Sequence, residues 1–98
     1  MLTYKDFEAD VKKYLRIAPH VTVYDDELAA LASSAIASLK VAGIPIVKSS
    51  LVTEYINTYV RVRMLHDASD AFRKSEFERE NVLMRQLTYG EQYVEDAP

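Results

Sequence analysis

Apolar positions recur at helical spacing along most of the chain, and the places where that spacing lapses divide it into about four helices. Phe7, Val11, Tyr14 and Leu15 recur behind Thr3 and Asp6, a capping box with the shorter acid, so a first helix is expected over Tyr4 to Ile17. Pro19 and the β-branched run Val21, Thr22, Val23 break the period. They predict an extended connector from Ala18 to Tyr24 that lays apolar side chains over the core. Asp25 or Asp26 then offers an N-cap, and Glu27 suits the positive end of a helix dipole. Leu28, Leu31, Ala32, Ala35, Ile36 and Leu39 make one apolar face, and Gly43 supplies the stop. Alanines and serines fill much of the remaining surface, leaving a thin helix that neighbouring backbones can approach closely.

Ile44, Pro45, Ile46 and Val47 are too apolar to float in water and too proline-broken for a helix, which predicts a tucked or partner-bound loop over Gly43 to Ser50. Ser49 or Ser50 caps a third helix from Leu51 to His66 whose apolar and aromatic positions wrap most of its circumference. Such a helix must be covered on most sides, so it is either the central helix or partly covered by a partner. Arg61 and Arg63, two positions apart, fall on nearly opposite sides of it and cannot share one phosphate. Each is expected to pair locally or to snorkel. Asp67, Ser69 and Asp70 mark a break, and the mixed charges of Arg73 to Glu80 read as a solvated surface. Ser75 and Glu78 fit a capping box for a last helix closed near Gly90.

With 98 residues, two glycines, three prolines and about half of its side chains apolar, the chain suits one all-α domain. The expected architecture is a small bundle with one long, largely buried central helix over residues 1–90, followed by an acidic tail over 91–98 that frays or awaits a partner. No cysteine is present, which excludes a thiolate metal site and is compatible with a reducing compartment. The first ten residues do not resemble a leader, and no apolar run is long enough for a bilayer, so synthesis in the cytoplasm is expected. Twelve bases against fifteen acids give a net charge of −3, to which Glu91, Glu95 and Asp96 contribute. Lys12, Lys13 and Arg16 form the one basic cluster, too small for tight generic binding to nucleic acid.

Candidate chemistry is sparse. His20 and His66 stand on different elements without ligand spacing, and a histidine at a helix C-terminus, as His66 is, already serves the dipole. The acids at 25–27 are what capping predicts. No nucleophile elbow or phosphate-cradling glycine loop exists. No enzyme, metal or cofactor is therefore expected. Seven tyrosines outnumber three phenylalanines, a bias shared by ordinary small cores and by subunit interfaces.

Three segments together carry a family likeness: Val11-Lys-Lys-Tyr-Leu-Arg-Ile17, the acidic entry Asp25-Asp-Glu-Leu28 into an Ala-rich helix, and the hydrophobic helix Val52 to Leu65. In these the chain resembles the small head-tail connector, or adaptor, proteins of tailed bacteriophages. The resemblance implies a structural subunit of the virion neck, made in the host cytoplasm. It implies a homo-oligomeric ring between the portal protein and the neck or tail proteins, which extends the DNA conduit and docks tail components. DNA would pass through the lumen without sequence-specific binding, in keeping with the charge. The charged Arg73–Glu80 segment and the Leu87-Thr-Tyr-Gly90 ending depart from that pattern. Residues expected at subunit or partner contacts are Tyr55, Tyr59, Arg63, Tyr89 and Tyr93. The competing reading is a small helical regulatory DNA-binding protein using the Lys12, Lys13, Arg16 face, with a small-molecule binder or enzyme built around His66 and Tyr59 third.

Overall fold

Four helices follow one another in the computed structural model, which describes residues 2–64 and 69–96, with side chains as far as Tyr89. They are α1 (Tyr4–Tyr14), α2 (Asp25–Val41), α3 (Ser50–Met64) and α4 (Asp70–Asp96), and no strand occurs among the described residues. The all-α class and the small bundle are as the periodicity predicts.

Local chemistry sets most boundaries. The backbone N–H of Thr3 donates to Asp6 Oδ2 at 2.8 Å, closing the expected capping box. α1 ends at Tyr14, short of the expected Ile17, because Arg16 turns left-handed at φ 60°. Its N–H donates to the Lys13 carbonyl at 3.1 Å and that of Ile17 to the Lys12 carbonyl at 2.8 Å, a Schellman turn made without glycine. α2 repeats this closure with Gly43 at φ 78°: Gly43 N–H donates to Lys40 and Ile44 N–H to Leu39, at 3.0 and 2.9 Å. At the entry of α2, however, the N-cap is Tyr24 and neither aspartate caps; the Asp25 carboxylate is engaged by Lys12 instead.

Gly43 gives a test of the closure. No heavy atom lies within 4 Å of a Cβ placed on it, so Gly43→Ala meets only the cost of a left-handed backbone, about 1–2 kcal/mol. Urea unfolding should show this loss with an unchanged m-value; a loss of a few tenths would mean that the turn relaxes to another geometry.

Ser49 is the cap of α3, its Oγ accepting from the Val52 N–H at 3.2 Å. The expected end of this helix at His66 falls outside the described residues. Ser69 caps α4 in the same way, accepting from Phe72 N–H at 3.2 Å. α4 therefore starts ahead of the charged stretch, and Ser75 and Glu78 lie inside a continuous helix where no cap is needed. It also runs through Gly90, where closure was expected, to Asp96. A glycine inside a helix costs only about 1 kcal/mol relative to alanine, too little to stop it.

α3 packs against α1, α2 and α4, with Val52, Ile56 and Val60 fully buried. It is not the long one: α3 has 15 residues and α4 has 27. Phe7 and Val11 from α1, Leu28 and Leu39 from α2, and Leu83 and Leu87 from α4 close the core around it. The apolar loop is tucked. Ile44 is buried, Ile46 packs on the core, and Lys48 Nζ donates to the Asp6 carbonyl at 2.7 Å and to Asp10 Oδ2 at 2.6 Å. Among the described residues no helix is long and apolar enough to cross a membrane.

Candidate functional site

Tyr55, Tyr59 and Arg63 follow one another at helical i, i+4 spacing on α3, and the fold turns that line toward α4. The two rings lie 6.1 Å apart at 46°. The Arg63 guanidinium sits 3.4 Å from the Tyr59 ring centroid and 5.5 Å from that of Phe77. Its Nη1 donates to Glu80 Oε1 at 2.7 Å and to the Tyr59 carbonyl at 3.0 Å. A stacked guanidinium with a carboxylate partner is a strong local joint, and here it binds α3 to α4. Glu80 is buried by it, which corrects the reading of Arg73–Glu80 as wholly solvated.

Tyr55 is only 3% exposed and belongs to the core of the subunit. Burial and the charge of Glu80 push its phenol up from the ordinary tyrosine value, while Ser38 hydrogen-bonds it. Tyr59 is half-buried. Tyr89 stands apart on α4, 67% exposed, and the side chain of Tyr93 lies outside those described. The fold therefore gathers Tyr55, Tyr59 and Arg63 into one internal joint and leaves Tyr89 on the surface.

Arg61 faces the other way, as its spacing from Arg63 requires, between the rings of Tyr14 at 5.6 Å and Phe72 at 5.2 Å. It links the end of α1 to the start of α4. A further ion pair, Arg79 with Glu54, crosses from α4 to α3.

Lys12 departs most from the sequence reading. Expected on an exposed basic face with Lys13 and Arg16, it is 4% exposed. Its ammonium lies 2.9 Å from Asp25 Oδ1 and donates to the carbonyls of Val21 at 3.0 Å and Pro19 at 3.4 Å. Two donors meet backbone carbonyls and the Asp25 carboxylate balances the charge, so the ammonium is buried with its partners and the connector is clasped onto α1. A phosphate-binding face loses its central member. Beside the clasp, a shallow cavity of about 460 Å³ is lined by Glu8, Ala9, Lys12, Lys13, Ile17 and Pro19. No convergent polar set fills it, since the ammonium is already engaged.

Sequence reasoning also missed the buried polar groups of α3, Asn57 and Thr58, and of α1, Tyr4. The Tyr4 hydroxyl has no hydrogen-bond partner among the described residues, and burial, with the charges of Glu8 and Asp25, pushes its pKa up to about 12. Because the folded value is raised above the unfolded value of 10.0, the neutral phenol's contribution is intact below pH 10 and lost as pH rises toward 12. Tyr4→Phe is expected to be neutral or stabilising by about 1 kcal/mol at pH 7. It should also flatten the alkaline fall in stability between those values. Chemical denaturation at stepped pH measures both; an equally steep alkaline fall in the variant would acquit Tyr4.

No group of three or more His, Cys, Asp or Glu suited to a metal occurs among the described residues, and His66 lies outside them. His20 is exposed.

These features define a small all-α protein whose interior charges are spent on joining its own helices. The chain belongs to the phage connector protein family, whose model matches residues 9–90, in agreement with the head-tail connector resemblance read from its segments. No curated protein and no solved structure matches it.

Proposed function

We propose that this protein is a non-catalytic structural subunit of the phage neck. It assembles as a ring between the portal protein and the tail, extends the DNA conduit and offers a docking surface to tail proteins. The observation that carries this reading is the family match over residues 9–90, which takes in α2 and α3 whole and parts of α1 and α4. The physical character of the subunit supports it. The chain is acidic overall, and Lys12 is withdrawn from the one basic cluster, so a lumen built from it would let DNA slide rather than hold it. The same withdrawal removes the observation on which the regulatory DNA-binding alternative rested.

Within this reading the joint of Tyr59 and Arg63, backed by Tyr55, fixes the angle between α3 and α4. Tyr89 and Tyr93 are the residues of the last helix that meet other chains. Light scattering on the protein alone, and mixed with purified portal protein of the same phage, tests the proposal. A ring, or a monomer that joins the portal in fixed stoichiometry, is the expected outcome. A monomer or dimer that ignores the portal would remove it. Tyr89→Ala should weaken assembly with helicity unchanged by circular dichroism; full assembly would take Tyr89 out of the contact.

A further inference from the structure

α2 and α4 each pack on α3, and each keeps a face turned away from it. The outward face of α4 carries Glu78, Val82, Arg85 and Tyr89, all exposed. That of α2 carries Asp26, Ala30, Ala37 and Val41, also exposed, with exposed Val23 just ahead of the helix. Val41 is 90% and Val23 78% exposed, which a helix face evolved only for water does not require.

We propose that these two faces are the complementary halves of one contact, in which α4 of one subunit lies antiparallel on α2 of a second copy. The inference rests on the ring reading above and names the surfaces that make the ring. Charge decides both occupant and direction. Along α2, Asp26 and Lys40 are roughly 21 Å apart at 1.5 Å per residue, and along α4, Asp70 and Arg85 are separated by roughly 22 Å. All four are exposed. Antiparallel packing sets Asp26 against Arg85 and Lys40 against Asp70; parallel packing would set acid on acid and base on base. In the antiparallel register Tyr89, one turn beyond Arg85, reaches the exposed Val23 and Tyr24, and Val82 falls beside Ala30. Alanines at that crossing let the two helices approach to about 8 Å. The two faces differ, so the contact repeated head to tail from subunit to subunit builds a ring.

The native chain has no cysteine, so a disulfide can report the contact cleanly. A chain carrying both Ala30→Cys and Val82→Cys, oxidised together with purified portal protein, is expected to give a ladder of covalent multimers on a denaturing gel. Each single variant should stop at background. Independently, Asp26→Arg and Arg85→Asp should each lower the assembled fraction at least several-fold by light scattering, and the double reversal should restore it. Assembled rings with neither ladder nor restoration would overturn this contact while leaving the ring reading standing. Failure of the unsubstituted chain to assemble with or without portal would overturn both.

Discussion

Replacing Phe7 by Ala is expected to lower the unfolding free energy by about 3–5 kcal/mol, a large share of the about 5–15 kcal/mol that holds a domain of this kind together. Phe7 is fully buried in the core against which α2 and α3 pack, and α1 has few other large apolar groups with which to collapse into the space left behind. The ring also has a second duty. Lys48 Nζ lies 4.7 Å from its centroid while donating to Asp6 and Asp10, so the ring face is part of what seats the loop between α2 and α3. Phe7→Leu, which retains most of the volume, should cost about 1.5 kcal/mol or less. Urea unfolding of the two variants measures the difference. If Ala and Leu cost the same, the site is not a rigid core position and the loop contact accounts for its role.

The second large effect is expected at Lys12. Lys12→Met retains the length of the apolar stem and removes the ammonium, stranding Asp25 and the carbonyls of Pro19 and Val21. Removing one partner of a fully buried ion pair costs about 3–5 kcal/mol. Asp25 retains 35% of its side-chain exposure, so water can compensate in part and a loss of about 2–3 kcal/mol is expected. Adding Asp25→Asn should recover part of it, because the stranded charge is then gone. Thermal and denaturant unfolding of the single and double variants completes the cycle. A loss under 1 kcal/mol for Lys12→Met would show that the connector holds its place by packing alone. Hydrogen exchange over residues 15–24 should quicken in the same variant, since the clasp is what ties that segment to α1.

Arg63 shows how far sequence spacing reaches and where it stops. Its separation from Arg61 by two positions was enough to place the two guanidiniums on different helix sides and to rule out a shared phosphate site. The partners were not legible. Glu80 and Phe77 are contributed by another helix, and they read from sequence as part of a charged, solvated run. The tyrosines divide on the same ground. Tyr55 and Tyr89 look alike as letters on helical faces, yet one is enclosed by α2, α3 and α4 and the other stands in water.

The start of α4 teaches a related lesson about caps. Ser75 and Glu78 have capping-box spacing, but so do many Ser-x-x-Glu pairs inside helices, and the chain caps itself earlier at Ser69. A local motif permits a cap and does not suffice for one, because packing decides where the chain actually changes direction. The contact of Glu80, Leu83 and Leu87 with the rest of the bundle holds α4 as one piece across the charged segment.

By itself the sequence determined the all-α class, the division into about four helices, the capping box at Thr3, the stop at Gly43 and the need of the apolar Ile44–Val47 loop to be tucked or covered. Each of these follows from groups a few residues apart, or from an apolar period that only one secondary structure can bury. Only the tertiary structure decided that Lys12 is a buried clasp and not part of a basic face, that Tyr55, Tyr59 and Arg63 form an internal joint, and that α4 continues through Gly90. The energy of a charge or a ring depends on what is brought against it from elsewhere in the chain, and that information is absent from local spacing.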